Sequence, residues 1–178
     1  MARNTLSRSL HDLGLAAWFG GTLANAVALN PAAGEAGGSS TGAVVNAGWN
    51  RWTPVNAAAI GAHLVGSVGQ LGANSGRVAQ QQGVAGMSVL KTVLTVAALG
   101  VTAYSRGLGQ IVNSGGAVPA KSGTKPSKRT RKDVAVAQEQ LDRLQWVVPA
   151  LTGALVVVSS YAGEQQRPSE VLKGTTAH

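Results

Sequence analysis

Apolar positions gather in four long runs, at 13–29, 55–73, 89–104 and 146–162, and polar residues collect between them and at the two ends. Lys91 in the third run is the one Lys, Arg, Asp or Glu that any of them contains. A hydrocarbon core about 30 Å thick is crossed by roughly 20 mainly apolar residues, with every backbone group bonded inside the helix. The pattern therefore predicts an all-α fold, a membrane helical bundle of four transmembrane helices in a single membrane domain over 1–178. The helices are expected at about 10–30, 53–74, 87–110 and 134–163, with a flexible basic loop at 113–132 and a polar, frayed C-terminal tail at 164–178.

Local signals set the boundaries. Thr53-Pro54 reads as an N-cap followed by proline at the first helical position, which opens the second helix, and Pro31 closes the first. Asp133 is placed to cap a further helix. Val134, Ala137, Leu141, Leu144 and Val148 follow at heptad spacing, which predicts a short amphipathic helix before the fourth span, lying along the membrane surface or extending that span into the cytosol. Pro149 predicts a kink there. Arg3 and Arg8 ahead of the first run, with Ala26-Val27-Ala28 behind it, imitate a signal peptide. His11, Asp12 and Gly20-Gly21 interrupt that pattern and favour a retained helix.

Polar residues inside the runs are ordered rather than scattered. Asn56, His63 and Gln70 recur at steps of seven, as do His11, Trp18 and Asn25, so two polar stripes are expected to face each other within the bundle. Antiparallel depth counting places Asn25 near Asn56, Trp18 near His63 and His11 near Gln70. Ala58, Ala62 and Gly66 form a ladder of small residues that lets helix backbones approach closely. Asp12 and Lys91 fall at similar depth and make a candidate ion pair. His63 could relay a proton or ligate a haem iron, against a default reading as a neutral, hydrogen-bonded core histidine.

Composition narrows the chemistry. Charged residues are 12% of the chain, about half the usual ~25%. Cysteine is absent, which removes thiolate metal sites and thiol catalysis. No catalytic, nucleotide or metal motif is visible, so neither an enzyme nor a cofactor is expected. Six of the fifteen basic residues, Lys121, Lys125, Lys128, Arg129, Arg131 and Lys132, lie in one connection. They are candidate contacts for anionic lipid head groups. Without interleaved aromatics they give no sign of nucleic-acid binding. The excess of Lys and Arg on that side predicts a cytoplasmic basic loop in a multi-pass protein of the inner (plasma) membrane.

The strings Leu10-His11-Asp12-Leu13-Gly14, Ala17-Trp18-Phe19-Gly20-Gly21, Trp52-Thr53-Pro54-Val55-Asn56 and Gly163-Glu164-Gln165-Gln166-Arg167-Pro168 resemble those of an uncharacterised family of four-span integral membrane proteins from actinobacteria. The resemblance implies a four-helix bundle in a bacterial inner membrane and brings no reaction, cofactor or binding residues with it. The function expected on these grounds is a non-enzymatic accessory or scaffold subunit of a membrane assembly, with a protein partner. A small transporter or channel with a polar pathway through His63, and a soluble α-helical domain, are the alternatives.

Overall fold

The computed structural model describes residues 4–38, 40–115 and 120–176, and every regular element among them is helical. In chain order these are α1 (Thr5–Ala24), a π-helical segment (Asn25–Leu29), α2 (Asn30–Gly34), α3 (Ser40–Ala73), α4 (Ser75–Gln80), α5 (Val84–Ser114), α6 (Lys132–Glu164) and α7 (Pro168–Thr176). Residues 116–119 of the expected basic loop lie outside the described residues.

Several boundaries differ from the sequence expectation, each for a local reason. Pro31 does not close the first helix. It has no N–H to offer the Val27 carbonyl, and the π-helical register upstream, in which Asn30 N–H bonds the Asn25 carbonyl, absorbs the missing link. Thr53-Pro54 does not open the second helix, because α3 already starts at Ser40 and carries Pro54 in its interior. Thr53 turns its hydroxyl back onto the Trp49 carbonyl at 2.8 Å instead of capping a new helix. The heptad 134–148 is no separate surface helix. It is the first half of a continuous α6, and its buried Val134 and Ala137, with Leu141 and Leu144 beside them, pack on Leu108 and Val112 of α5. The apolar stripe is thus covered by protein. The C-terminal tail also forms a helix, α7, held where Gln82 N–H bonds the Gly174 carbonyl and where Arg77 of α4 donates to the Gln165 carbonyl at 2.7 Å.

The expected four-span membrane bundle is corrected accordingly. Two helices, α5 and α6, are long and apolar enough to cross a membrane, a test that the core helix of a soluble protein also passes; α1 and α3 do not meet it. The helices pack extensively on one another, α1 on α3, α5 on α6, and α1 on α6. What remains is an all-α helical bundle. The inner-membrane location and the anionic-lipid partner rested on four spans and fall with them. The six basic side chains are exposed on the described part of the connection and at the start of α6, where Arg131 pairs with Asp133 at 2.6 Å.

Two hairpins build the bundle. Trp18, Ala59, Ala98 and Val148, one from each long helix, meet as a buried cluster at its centre, and Leu155 is fully buried further along α6. By contrast α3 and α5 scarcely touch. Their outward faces leave Val65, Val68, Val93 and Val96 more than half exposed. A Cβ on Gly100 or Gly107, both within α5, would meet no atom within 4 Å. Gly100→Ala and Gly107→Ala should each raise stability by about 0.5–1 kcal/mol through helix propensity, measurable by urea unfolding.

Candidate functional site

Close approach of α1 and α3 creates the first polar centre. Gly14 and Gly66 lack the side chains that would hold the backbones apart, and the contact brings His11 and His63 together with ring centroids 4.6 Å apart. Both imidazoles are buried, at 1% and 0% exposure. His11 Nδ1 lies 2.7 Å from a carboxylate oxygen of Asp12, an arrangement that selects the Nδ1–H tautomer, and its Nε2 is buried without a partner. His63 makes only long contacts, Nδ1 to the His11 carbonyl at 3.5 Å and Nε2 to the Thr95 hydroxyl at 3.4 Å. Trp18 lies beside it, ring centroids 6.1 Å apart.

Burial above all disfavours protonation of the pair. Burial pushes the His63 pKa down to about 4, and neighbouring His11 and Lys91 act in the same direction, against the His11 carbonyl and Asp12. Burial likewise lowers His11, with Lys91 adding to the effect and Asp12 opposing it. Lys91 is itself lowered by burial, offset by Asp12. The expected Asp12–Lys91 ion pair does not close: Asp12 takes His11 as its partner and acts on Lys91 only at longer range. His11 therefore meets His63, where depth counting places Gln70. Gln70 gives only its carbonyl, to Asn74, while Asn25 donates to the Gly21 carbonyl of its own helix. No group of three metal-ligating side chains occurs among the described residues. This centre is a neutral, sealed histidine pair.

The second centre lies on the other side of the Trp18–Ala59–Ala98–Val148 cluster. Where α3 and α5 diverge they leave a cavity of about 350 Å³, walled also by the π-helical segment, α6 and the basic connection. Its wall is largely apolar, from residues such as Ile60, Leu99, Leu144 and Val148, and Trp49 and Trp52 contribute large aromatic surfaces. Arg106, an exposed side chain, is the one charged residue on the wall among the described residues. Four polar atoms on lining residues are buried without a hydrogen-bond partner: Trp52 Nε1, Asn56 Oδ1, Thr102 Oγ1 and Ser105 Oγ. Neither histidine lines this cavity.

A polar network closes one end. Asn30 donates to Gln145 Oε1 at 2.9 Å and accepts from Trp49 Nε1 at 3.2 Å, while its carbonyl accepts from Gly123 N–H at 2.9 Å. Thr124 donates to Asp142 at 2.6 Å, and Gln145 donates to the same carboxylate oxygen at 3.0 Å. Gly123 and Thr124 of the basic connection are thereby bonded into the cavity wall.

Sequence reasoning singled out Asn56 from this wall and missed the rest. The signal was there in helical spacing: Asn46, Trp49, Thr53, Asn56 and Ile60 follow at steps of three and four, as do Leu99, Thr102, Arg106, Gly109 and Asn113. Placing the start of the second helix at Thr53 cut the first of these series in two.

Comparison with protein-family models, with curated proteins and with solved structures gives no match for this chain. The expected membership of a four-span actinobacterial family is corrected on the helix pattern, since two helices rather than four have the required length and apolarity.

Proposed function

We propose that the chain is a non-enzymatic all-α binding domain whose inter-helical cavity holds a small, mostly apolar molecule. The observation that carries this reading is the largely apolar cavity of about 350 Å³ between α3 and α5, with Trp49 and Trp52 among its lining. Its volume falls in the range of small-molecule sites, which are mostly apolar with a few placed polar groups. The histidine pair contributes to packing: it is sealed from the cavity, and its residues provide no paired nucleophile.

Titration with N-phenyl-1-naphthylamine, a neutral aromatic fluorophore, tests the reading. A saturable one-to-one rise in blue-shifted emission, with energy transfer from Trp49 and Trp52, is the expected result. Emission that climbs without saturation, or does not change, would reject cavity binding.

A further inference from the structure

At the end of the bundle where α1 begins and α6 passes into α7, two arginines from distant parts of the chain converge on adjacent residues. Arg8 of α1 donates through Nη2 to the side-chain carbonyl of Gln166. Arg77 of α4 donates through Nη2 to the Gln165 carbonyl at 2.7 Å, through Nε to Gln81 Oε1 at 2.9 Å and through Nη1 to Asn74 Oδ1 at 3.1 Å. Every one of these acceptors is a neutral amide. Among the described residues neither guanidinium has a carboxylate at ion-pair distance. Glu164 and Glu170, on either side of the turn, are taken by Arg167 at 2.7 Å and by Lys173 at 3.0 Å. Burial lowers the Arg77 pKa, and the like charge of Arg8 lowers it further. Arg77 is half-buried and uses three of its five N–H donors; Arg8 is exposed and uses one, so donors on both remain for a molecule from solvent.

We propose that Arg8 and Arg77 form a binding site for a phosphate-type dianion, which bridges the two guanidiniums and ties α1 to α4 and to the turn between α6 and α7. Guanidinium N–H groups match the oxygens of a phosphoryl group in bidentate fashion. A doubly charged oxyanion neutralises both side chains at once, whereas chloride leaves one charge uncompensated. None of these residues lines the cavity between α3 and α5, so the site stands apart from the binding function proposed above. The same dianion can arrive as free phosphate or as a phosphate monoester.

Thermal unfolding of the full chain at pH 8 and fixed ionic strength, with about 10 mM inorganic phosphate exchanged for chloride, tests the site. The midpoint should rise by about 3–5 °C, the shift given by a dissociation constant about tenfold below that concentration in a chain of this size. In Arg8→Gln, where the lost side chain is exposed, and in Arg77→Gln the affinity should fall about fivefold and the phosphate-induced rise by about half. A rise measured within one protein is independent of any stability that the substitution itself removes. Phenyl phosphate separates the two sources: a shift no larger than that of phosphate assigns the free ion, and a larger one assigns the phosphoryl group of a larger molecule. No rise over chloride in the unsubstituted chain would overturn the site. So would a rise unchanged in both variants, which is general stabilisation by an excluded salt.

Discussion

Gly66→Ala and Gly14→Ala should each lower the stability of the bundle by about 3 kcal/mol, a large share of the 5–15 kcal/mol that holds a typical domain folded. A Cβ on Gly66 would stand 2.6 Å from the Ser7 carbonyl oxygen and 2.7 Å from His11 Cα. On Gly14 it would stand 2.5 Å from the backbone nitrogen of His63 and 3.0 Å from its Cα. These are main-chain atoms, so no rotamer change relieves the clash and α1 must move away from α3. Separation would also loosen the contact between His11 and His63 and leave their nitrogens still less satisfied. Gly61 is the internal control. It lies on the same helix, its Cβ would meet nothing within 4 Å, and Gly61→Ala should be neutral or stabilising. Urea unfolding followed by circular dichroism reads all three variants, and equal midpoints for Gly61→Ala and Gly66→Ala would contradict the packing described.

Acid should weaken the fold through the same pair of histidines. A histidine with a depressed pKa in the folded protein stays neutral there while the unfolded chain protonates at its ordinary value near 6.5. The unfolded state therefore binds more protons between about pH 6.5 and the folded pKa, which for His63 is about 4. Stability is fully present above pH 6.5, declines as the pH falls through this window, and stops changing on this account below about pH 4. The His63 contribution is on the order of 2–3 kcal/mol once solvent screening is allowed for, and His11 adds in the same direction. The groups facing the pair are Asp12 on α1 and Lys91 on α5. Substituting His63→Leu should remove most of the slope between pH 6.5 and 4, as read from urea midpoints across the series. A slope of undiminished size would place the acid sensitivity elsewhere.

Helical content was legible in the chain because apolar runs of 16 residues or more leave little room for another element. Of the small-residue ladder Ala58, Ala62 and Gly66, only Gly66 is buried against α1; Ala58 is exposed, and the close approach runs through Ala59 and His63 instead. Proline misled in both directions. Pro31 and Pro54 look like ends and starts because each lacks an N–H, yet a π-helical register accommodates the first and a long helix carries the second in its interior. The stripe Val134–Ala137–Leu141–Leu144 showed that one face must be covered without saying by what, and the cover is α5 rather than lipid. Long apolar runs suggested four membrane spans for a similar reason: hydropathy records that a surface avoids water and does not name its neighbour. The cavity was hidden because its wall is assembled from segments spread between Thr22 and Val148, and its existence depends on α3 and α5 diverging, a tertiary property with no local signature.

Parallel titration of the unsubstituted protein and Gly109→Phe with N-phenyl-1-naphthylamine tests the central claim most directly. Gly109 lines the cavity, and a Cβ there meets nothing within 4 Å, so the first atom of a phenylalanine side chain enters without a clash. The exposed valines of α3 and α5 remain as they are in both proteins, which separates cavity binding from adsorption on those faces. The account predicts a variant that unfolds at the same or higher urea concentration and binds the probe at least tenfold more weakly. Undiminished binding by a folded Gly109→Phe would show that the cavity is not the binding site.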